Sequence, residues 1–168
     1  MGKSKKYGMN TKALHANKKF EPISGDIMPP LHLSTTYKND VPGESEYFYG
    51  RVNNPTRELF ERTLASLEGI DNYEEMHALA MASGMSAVSL IAELVKPGEN
   101  VVITKDVYGG TTNYFSKIVT ERGVEVNFCD FSDTETLKSM LNEKTKLAWI
   151  ESPSNPSINL YDLSKIAE

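Results

Sequence analysis

Residues 100–130 read NVVITKDVYGGTTNYFSKIVTERGVEVNFCD. NVVITK is rich in β-branched residues and predicts a strand. GGTTNYFSKIVTERG predicts a helix between glycines, and VEVNFCD a second strand. A strand, a helix and a strand in that order predict two parallel strands joined by a right-handed crossover, with the helix lying on the sheet. The rhythm continues to both sides. PTRELFERTLASLEG (55–69) carries Leu59, Phe60, Leu64 and Leu67 at helical spacing, with Pro55 near the first turn and Gly69 just past the end. HALAMAS (77–83) is a short apolar run. GMSAVSLIAELV (84–95) then places Met85, Val88, Ile91, Leu94 and Val95 on one helix face, and Lys96-Pro97-Gly98 breaks it. Downstream, DTETLKSMLNE (133–143) reads as a helix with Asp133 as N-cap, KLAWIES (146–152) as a strand, and YDLSKIAE (161–168) as the start of another helix. The fold class expected is α/β: a mostly parallel sheet flanked by helices.

Residues 1–45 are different in kind. They hold few periodic apolar positions and several breakers, Pro22, Pro29, Pro30, Pro42 and Gly43 among them. They read as an extended arm, with a partner subunit as a reasonable destination, and residues 46–168 as the domain proper. Hydrophobic residues make up 39% of the 168 and charged ones 24%, which suits a soluble globular chain. The net charge of -5 argues against a nucleic-acid binder, since basic residues cluster only in KSKK at 3–6. Cys129 is the single cysteine, set in an apolar run where a buried, inert thiol is expected. His15, His32 and His77 show no metal-ligand spacing, so no metal is expected. No stretch approaches the ~18 apolar residues of a membrane-spanning helix. The N-terminus carries no signal-peptide core either, so a cytoplasmic, soluble protein is expected.

Sheets of this kind bind ligands beyond the carboxyl ends of their strands. That rule selects Ser83–Met85 after HALAMA, Asp106–Gly110 after VVIT, and Glu151–Pro156 after LAWI. In SGMSA (83–87), small residues leave the first N–H groups of a helix open to an anion. The same residues also read as a tight turn capped by Ser83. In DVYGGT (106–111), Tyr108 offers an aromatic face to a planar ring, with glycines that let backbone come close. In ESPSNP (151–156), two prolines stiffen a polar loop. There Asn155 can donate to a phenolate-like oxygen, and Glu151 can accept from backbone or ligand. Finally, YFYGRVNNPTRELF (47–60) sets the Tyr49 hydroxyl and the Arg51 fork of donors beside an Asn-Pro turn. Alone it reads as a solvated loop as readily as an anion clamp. Together the four sites offer an anion pocket, a ring platform, a ring-oxygen donor and an outer phosphate clamp. That set suits a planar, phosphorylated heteroaromatic cofactor such as pyridoxal 5'-phosphate. Neither GxGxxG nor GxxxxGK[ST] occurs, which disfavours a nucleotide-binding domain.

YGRVNNPT, SGMSA, DVYGGT and ESPSNP, in this order, resemble the Cys/Met-metabolism family of pyridoxal-phosphate enzymes, and PPLHLSTTY (29–37) resembles that family's N-terminal arm. The resemblance covers nearly the whole chain. It implies an N-terminal arm and the first half of an aminotransferase-like (fold type I) large domain. It also implies a trans-sulfuration enzyme acting on a sulfur amino acid, most like a cystathionine γ-lyase, with subunits that share active sites as dimers within a tetramer. By the same resemblance Tyr49 and Arg51 bind the cofactor phosphate of the neighbouring subunit, and the backbone of Gly84 and Met85 binds the phosphate of its own. Tyr108 stacks on the pyridine ring and helps to move protons at the substrate, and Asn155 bonds the ring oxygen.

The resemblance has limits. The family's cofactor-bearing lysine and pyridinium-pairing aspartate lie downstream of ESPSNP, so the 168-residue chain alone is expected to be inactive. Gly110 stands where methionine γ-lyases carry a cysteine, which points to the trans-sulfuration enzymes. Asn113 replaces an arginine associated with the substrate carboxylate, leaving γ-lyase and γ-synthase both open. A non-catalytic interaction protein, keeping the arm and clamp to pair with a longer partner, is the reading from another class.

Overall fold

The computed structural model describes residues 7–15, 25–41, 43–70 and 78–167. The chain divides into two units, Met1–Ala80 and Met81–Glu168. His77 and Pro42 lie outside the described residues, as do Pro22 and the KSKK run.

In the Met81–Glu168 unit, β1 (Asn100–Thr104), β2 (Glu125–Cys129) and β3 (Thr145–Trp149) form a three-stranded parallel sheet in the order β2-β1-β3. The central strand is buried along its length, as expected of a parallel sheet covered on both faces. Alternation divides its side chains. Val101 and Ile103 face a cluster built from Val88, Ala92 and Val95 on and after α3 (Gly84–Ala92), together with Val107, Phe115, Val119 and Val124. The helix that follows β1 begins as α4 (Gly109–Tyr114) and runs on through a π turn and a 3-10 turn to Arg122, where Gly123 stops it at φ 82°. On the other face Val102 meets Cys129, Phe131 and Leu137, closed by Met140, Tyr161 and Ile166 from α5 (Thr134–Met140), α6 (Leu163–Ala167) and the segment before α6. Burial pushes the Cys129 thiol up, as an inert core cysteine requires.

Asp133 caps α5 as expected, accepting from the Thr136 N–H at 3.1 Å. The Thr136 side chain and backbone hold the Asp133 carboxyl below its ordinary range, and the Ser132 backbone N–H does the same for Asp130. Groups depressed in the folded state stabilise it fully above the unfolded carboxylate value of about 3.9 and lose that contribution as pH falls through the folded value. The urea midpoint should therefore fall below about pH 4. In Asp133→Asn, which still caps, that fall should be shallower.

Three expectations of the sequence need correction. HALAMA does not end in a strand: Ala78–Met81 have no regular structure, Leu79 is exposed, and the Ala80 N–H is taken by the Glu61 carboxylate at 2.7 Å. The third helix stops at Ala92, because Leu94 and Val95 bond to the carbonyls three residues back. That tightening turns Leu94 outward, 69% exposed, and sends Val95 inward. The third concerns the helix after the Asn-Pro turn, in the other unit.

In the Met1–Ala80 unit, α1 (Met9–His15) lies within the arm, and α2 (Pro55–Leu67) follows the 47–54 loop. The Lys12 ammonium donates to the Ser66 carbonyl at 2.9 Å and ties the two helices. Asn54 caps α2, accepting from the N–H groups of Thr56 at 2.9 Å and Arg57 at 3.3 Å. Pro55 and Gly69 (φ 90°) stand where the sequence puts them. The buried face, however, is Glu58, Glu61, Ala65 and Ser66, while Phe60 and Leu64 are exposed. Glu58 accepts from the Tyr47 hydroxyl at 2.6 Å and from Arg62 Nε at 2.6 Å. Burial, then that bond, raises the Tyr47 phenol well above its ordinary value. The carboxylates lie inward because flanking segments bring them donors.

Candidate cofactor site

The loop after β1 opens on Lys105, whose N–H bonds the Cys129 carbonyl at 2.9 Å and carries the sheet one step further. Val107 then drops into the core, and Tyr108 emerges half exposed as the residue before α4. The Tyr108 N–H donates to Glu151 Oε2 at 2.9 Å, so the carboxylate at the end of β3 accepts from backbone. Two residues on, Gly110 has no side chain, and this permits the ring's position. A Cβ at Gly110 would lie 2.4 Å from Tyr108 Cε1 and 2.9 Å from Met85 Sδ. Tyr108 and Met85, singled out separately from the sequence, thus border one point.

Ser83 caps α3, its Oγ accepting from the Ser86 N–H at 3.2 Å. The Ser83 cap of the tight-turn reading is present, and it occupies a different N–H from those of Gly84 and Met85. Gly84 is exposed, with nothing within 4 Å of where a Cβ would be. Asn155 sits exposed in the 155–157 turn of the loop after β3. Peptide bonds before Pro153 and Pro156 are cis.

In the Met1–Ala80 unit, Tyr49 pairs with Thr36 in an antiparallel bridge, and the Gly50 N–H donates to the Thr35 carbonyl at 2.7 Å. A Cβ at Gly50 would meet the Ser34 carbonyl at 2.9 Å, so this close approach needs glycine. The Arg51 guanidinium lies 4.9 Å from the Tyr49 ring centroid, a cation–π arrangement that keeps the two proposed clamp residues together.

Sequence reasoning missed the residues that hold these loops. Arg57 donates to the carbonyls of Gly50 at 3.2 Å and Val52 at 2.6 Å. Asp106, Ser154 and Asn159 bond one another between the β1 and β3 loops. Asn-Pro-Thr-Arg and Ser-Pro-Ser-Asn were visible as turns, but partners 48 and 53 residues apart carry no local signal.

The donor set fits a phosphorylated ring: open amides at the start of a helix, an exposed phenol face beside a glycine gap, and a free-standing carboxamide. Among the described residues no group of three His, Cys, Asp or Glu side chains is placed to hold a metal, and no helix is long and apolar enough to cross a membrane.

Residues 10–168 match the family of Cys/Met metabolism PLP-dependent enzymes. A cystathionine beta-lyase of Coxiella burnetii is 40% identical over 98% of this chain and 42% of its own length. A cystathionine gamma-lyase of Mus musculus is 39% identical over 94% of this chain and 39% of its own. The crystal structure of metB from Corynebacterium glutamicum superposes with a TM-score of 0.86 at 34% identity, covering 96% of this chain and 41% of that one. The chain thus spans about two fifths of the length of the relatives it matches. Fold and sequence agree, and the chain belongs to the Cys/Met metabolism PLP-dependent enzyme family.

Proposed function

We propose that these residues bind pyridoxal 5'-phosphate and that the whole protein is a C–S lyase, cleaving L-cystathionine to cysteine, 2-oxobutanoate and ammonia. The observation that carries this reading is the pairing of Tyr108 with Met85 at the glycine gap of Gly110, beyond the carboxyl end of the central strand. In the proposed arrangement the N–H groups of Gly84 and Met85 donate to phosphate oxygens at the start of α3. The Tyr108 ring lies against the pyridine face, and the Asn155 carboxamide donates to the ring oxygen. Tyr49 and Arg51 serve the phosphate of a neighbouring subunit, so the working unit is an oligomer. The bound cofactor supplies an electron sink for the charge left when a proton leaves the substrate Cα. In this reading Tyr108, a half-exposed residue, holds or passes protons at the substrate.

A cystathionine γ-synthase, a cystathionine β-lyase and a methionine γ-lyase are the competing activities. The glycine gap speaks against the last, because a cysteine at 110 would need the Tyr108 ring to move. The native polypeptide that carries this sequence, supplied with cofactor and L-cystathionine, is expected to release 2-oxobutanoate. Pyruvate would mark the β-lyase instead. Condensation of an activated homoserine with cysteine, without keto acid, would mark the synthase.

A further inference from the structure

Ser154 is only 4% exposed, so its hydroxyl has no bulk water to fall back on. It donates to Asp106 Oδ2, and the same oxygen accepts from Asn159 Nδ2 at 2.9 Å. Ser154 Oγ in turn accepts from the Asn159 N–H at 2.8 Å, and the Ser154 N–H donates to the Asn159 carbonyl at 2.9 Å. Residues 154–159 therefore form a loop closed at its base by one carboxylate from the β1 side, and Asn155 directly follows the base residue Ser154. The loop also contains Ile158 at φ 57°. A β-branched residue there is strained and persists only where its surroundings over-determine it. The bonds at Asp106 are such surroundings.

We propose that Asp106 is the positioning residue of the ring pocket: standing two residues before Tyr108, it fixes the loop that presents Asn155. This rests on the reading that Tyr108 and Asn155 face the cofactor ring. Asp106 touches neither ring nor substrate in this scheme and acts through Asn155.

The test is a titration of the native polypeptide that carries this sequence with 4'-deoxypyridoxine 5'-phosphate, which has no aldehyde to react with lysines. Isothermal calorimetry gives the readout. Losing hydrogen bonds to a charged group is expected to weaken binding about tenfold in Asp106→Ala. Asp106→Asn, which keeps the shape and one acceptor oxygen, should lose about threefold and carries the test if the alanine variant does not fold. In an Asn155→Ala background either Asp106 substitution should add nothing further, which a merely structural role would not produce. Losses that simply add, or wild-type affinity in both Asp106 variants while Tyr108→Ala and Asn155→Ala are weakened, overturn the inference alone. Failure of the unsubstituted chain to bind, or of Tyr108→Ala and Asn155→Ala to weaken binding, overturns the ring-site reading and the inference together.

Discussion

Phe115→Ala is expected to destabilise the Met81–Glu168 unit by about 3–5 kcal/mol, the cost of removing a large buried ring and leaving a cavity. Phe115 is fully buried, with its ring 5.7 Å from that of Trp149 and edge-on to Tyr114 at 6.2 Å. It also joins Val101 and Ile103 in the cluster under the sheet. Domains of this size hold roughly 5–15 kcal/mol in all, so the substitution takes a large share. Urea unfolding followed through Trp149 should show a lower midpoint with an unchanged slope. The internal comparison is Phe60→Ala, since Phe60 is 55% exposed and should change stability by no more than about 0.5 kcal/mol. Equal losses at the two positions would contradict the assignment of core and surface.

That contrast also shows where local pattern stops being informative. The strand at 100–104 was legible because a buried parallel strand reads as a continuous apolar run, whereas those at 125–129 and 145–149, only partly buried, mix apolar and polar residues. HALAMA is apolar but holds no β-branched residue, and its described residues Ala78–Met81 have no regular structure. In α2, period alone put Phe60 and Leu64 inside. Glu58 and Glu61 displaced them because Tyr47, Arg62 and the Ala80 N–H come to meet the two carboxylates, and only the folded chain brings those donors near. The site divides in the same way. Tyr49, Arg51, Gly84, Met85, Tyr108 and Asn155, the proposed site residues, lie in motifs that the sequence shows beside a turn, a helix start or a strand end, and their proposed roles come from the family resemblance. Asp106 and Arg57 look like ordinary loop and helix charges until their partners are seen.

Arg57→Ala is the sharpest test of the second of these. The guanidinium forks across the 49–52 turn, one nitrogen on the Gly50 carbonyl and the other on the Val52 carbonyl, while Nε faces Glu61 at 3.7 Å. About a third of the Arg57 side chain is exposed, so the ion pair itself counts for little, about 0.5 kcal/mol. The two carbonyl bonds carry more, at about 1 kcal/mol each once solvent competition is allowed for. A total near 2 kcal/mol predicts that the Val52 and Asn53 amides, bonded to the Tyr49 carbonyl at 2.9 and 3.1 Å, exchange hydrogen roughly thirtyfold faster in the variant. Arg57→Lys has a single point of donation and should recover at most half of the lost free energy. Amide exchange measured residue by residue separates this from general loosening, because amides in the Met81–Glu168 sheet should keep their rates. Unchanged exchange at Val52 and Asn53 would mean that the turn carrying Tyr49 and Arg51 holds itself. Arg57 would then have no part in presenting the proposed phosphate clamp.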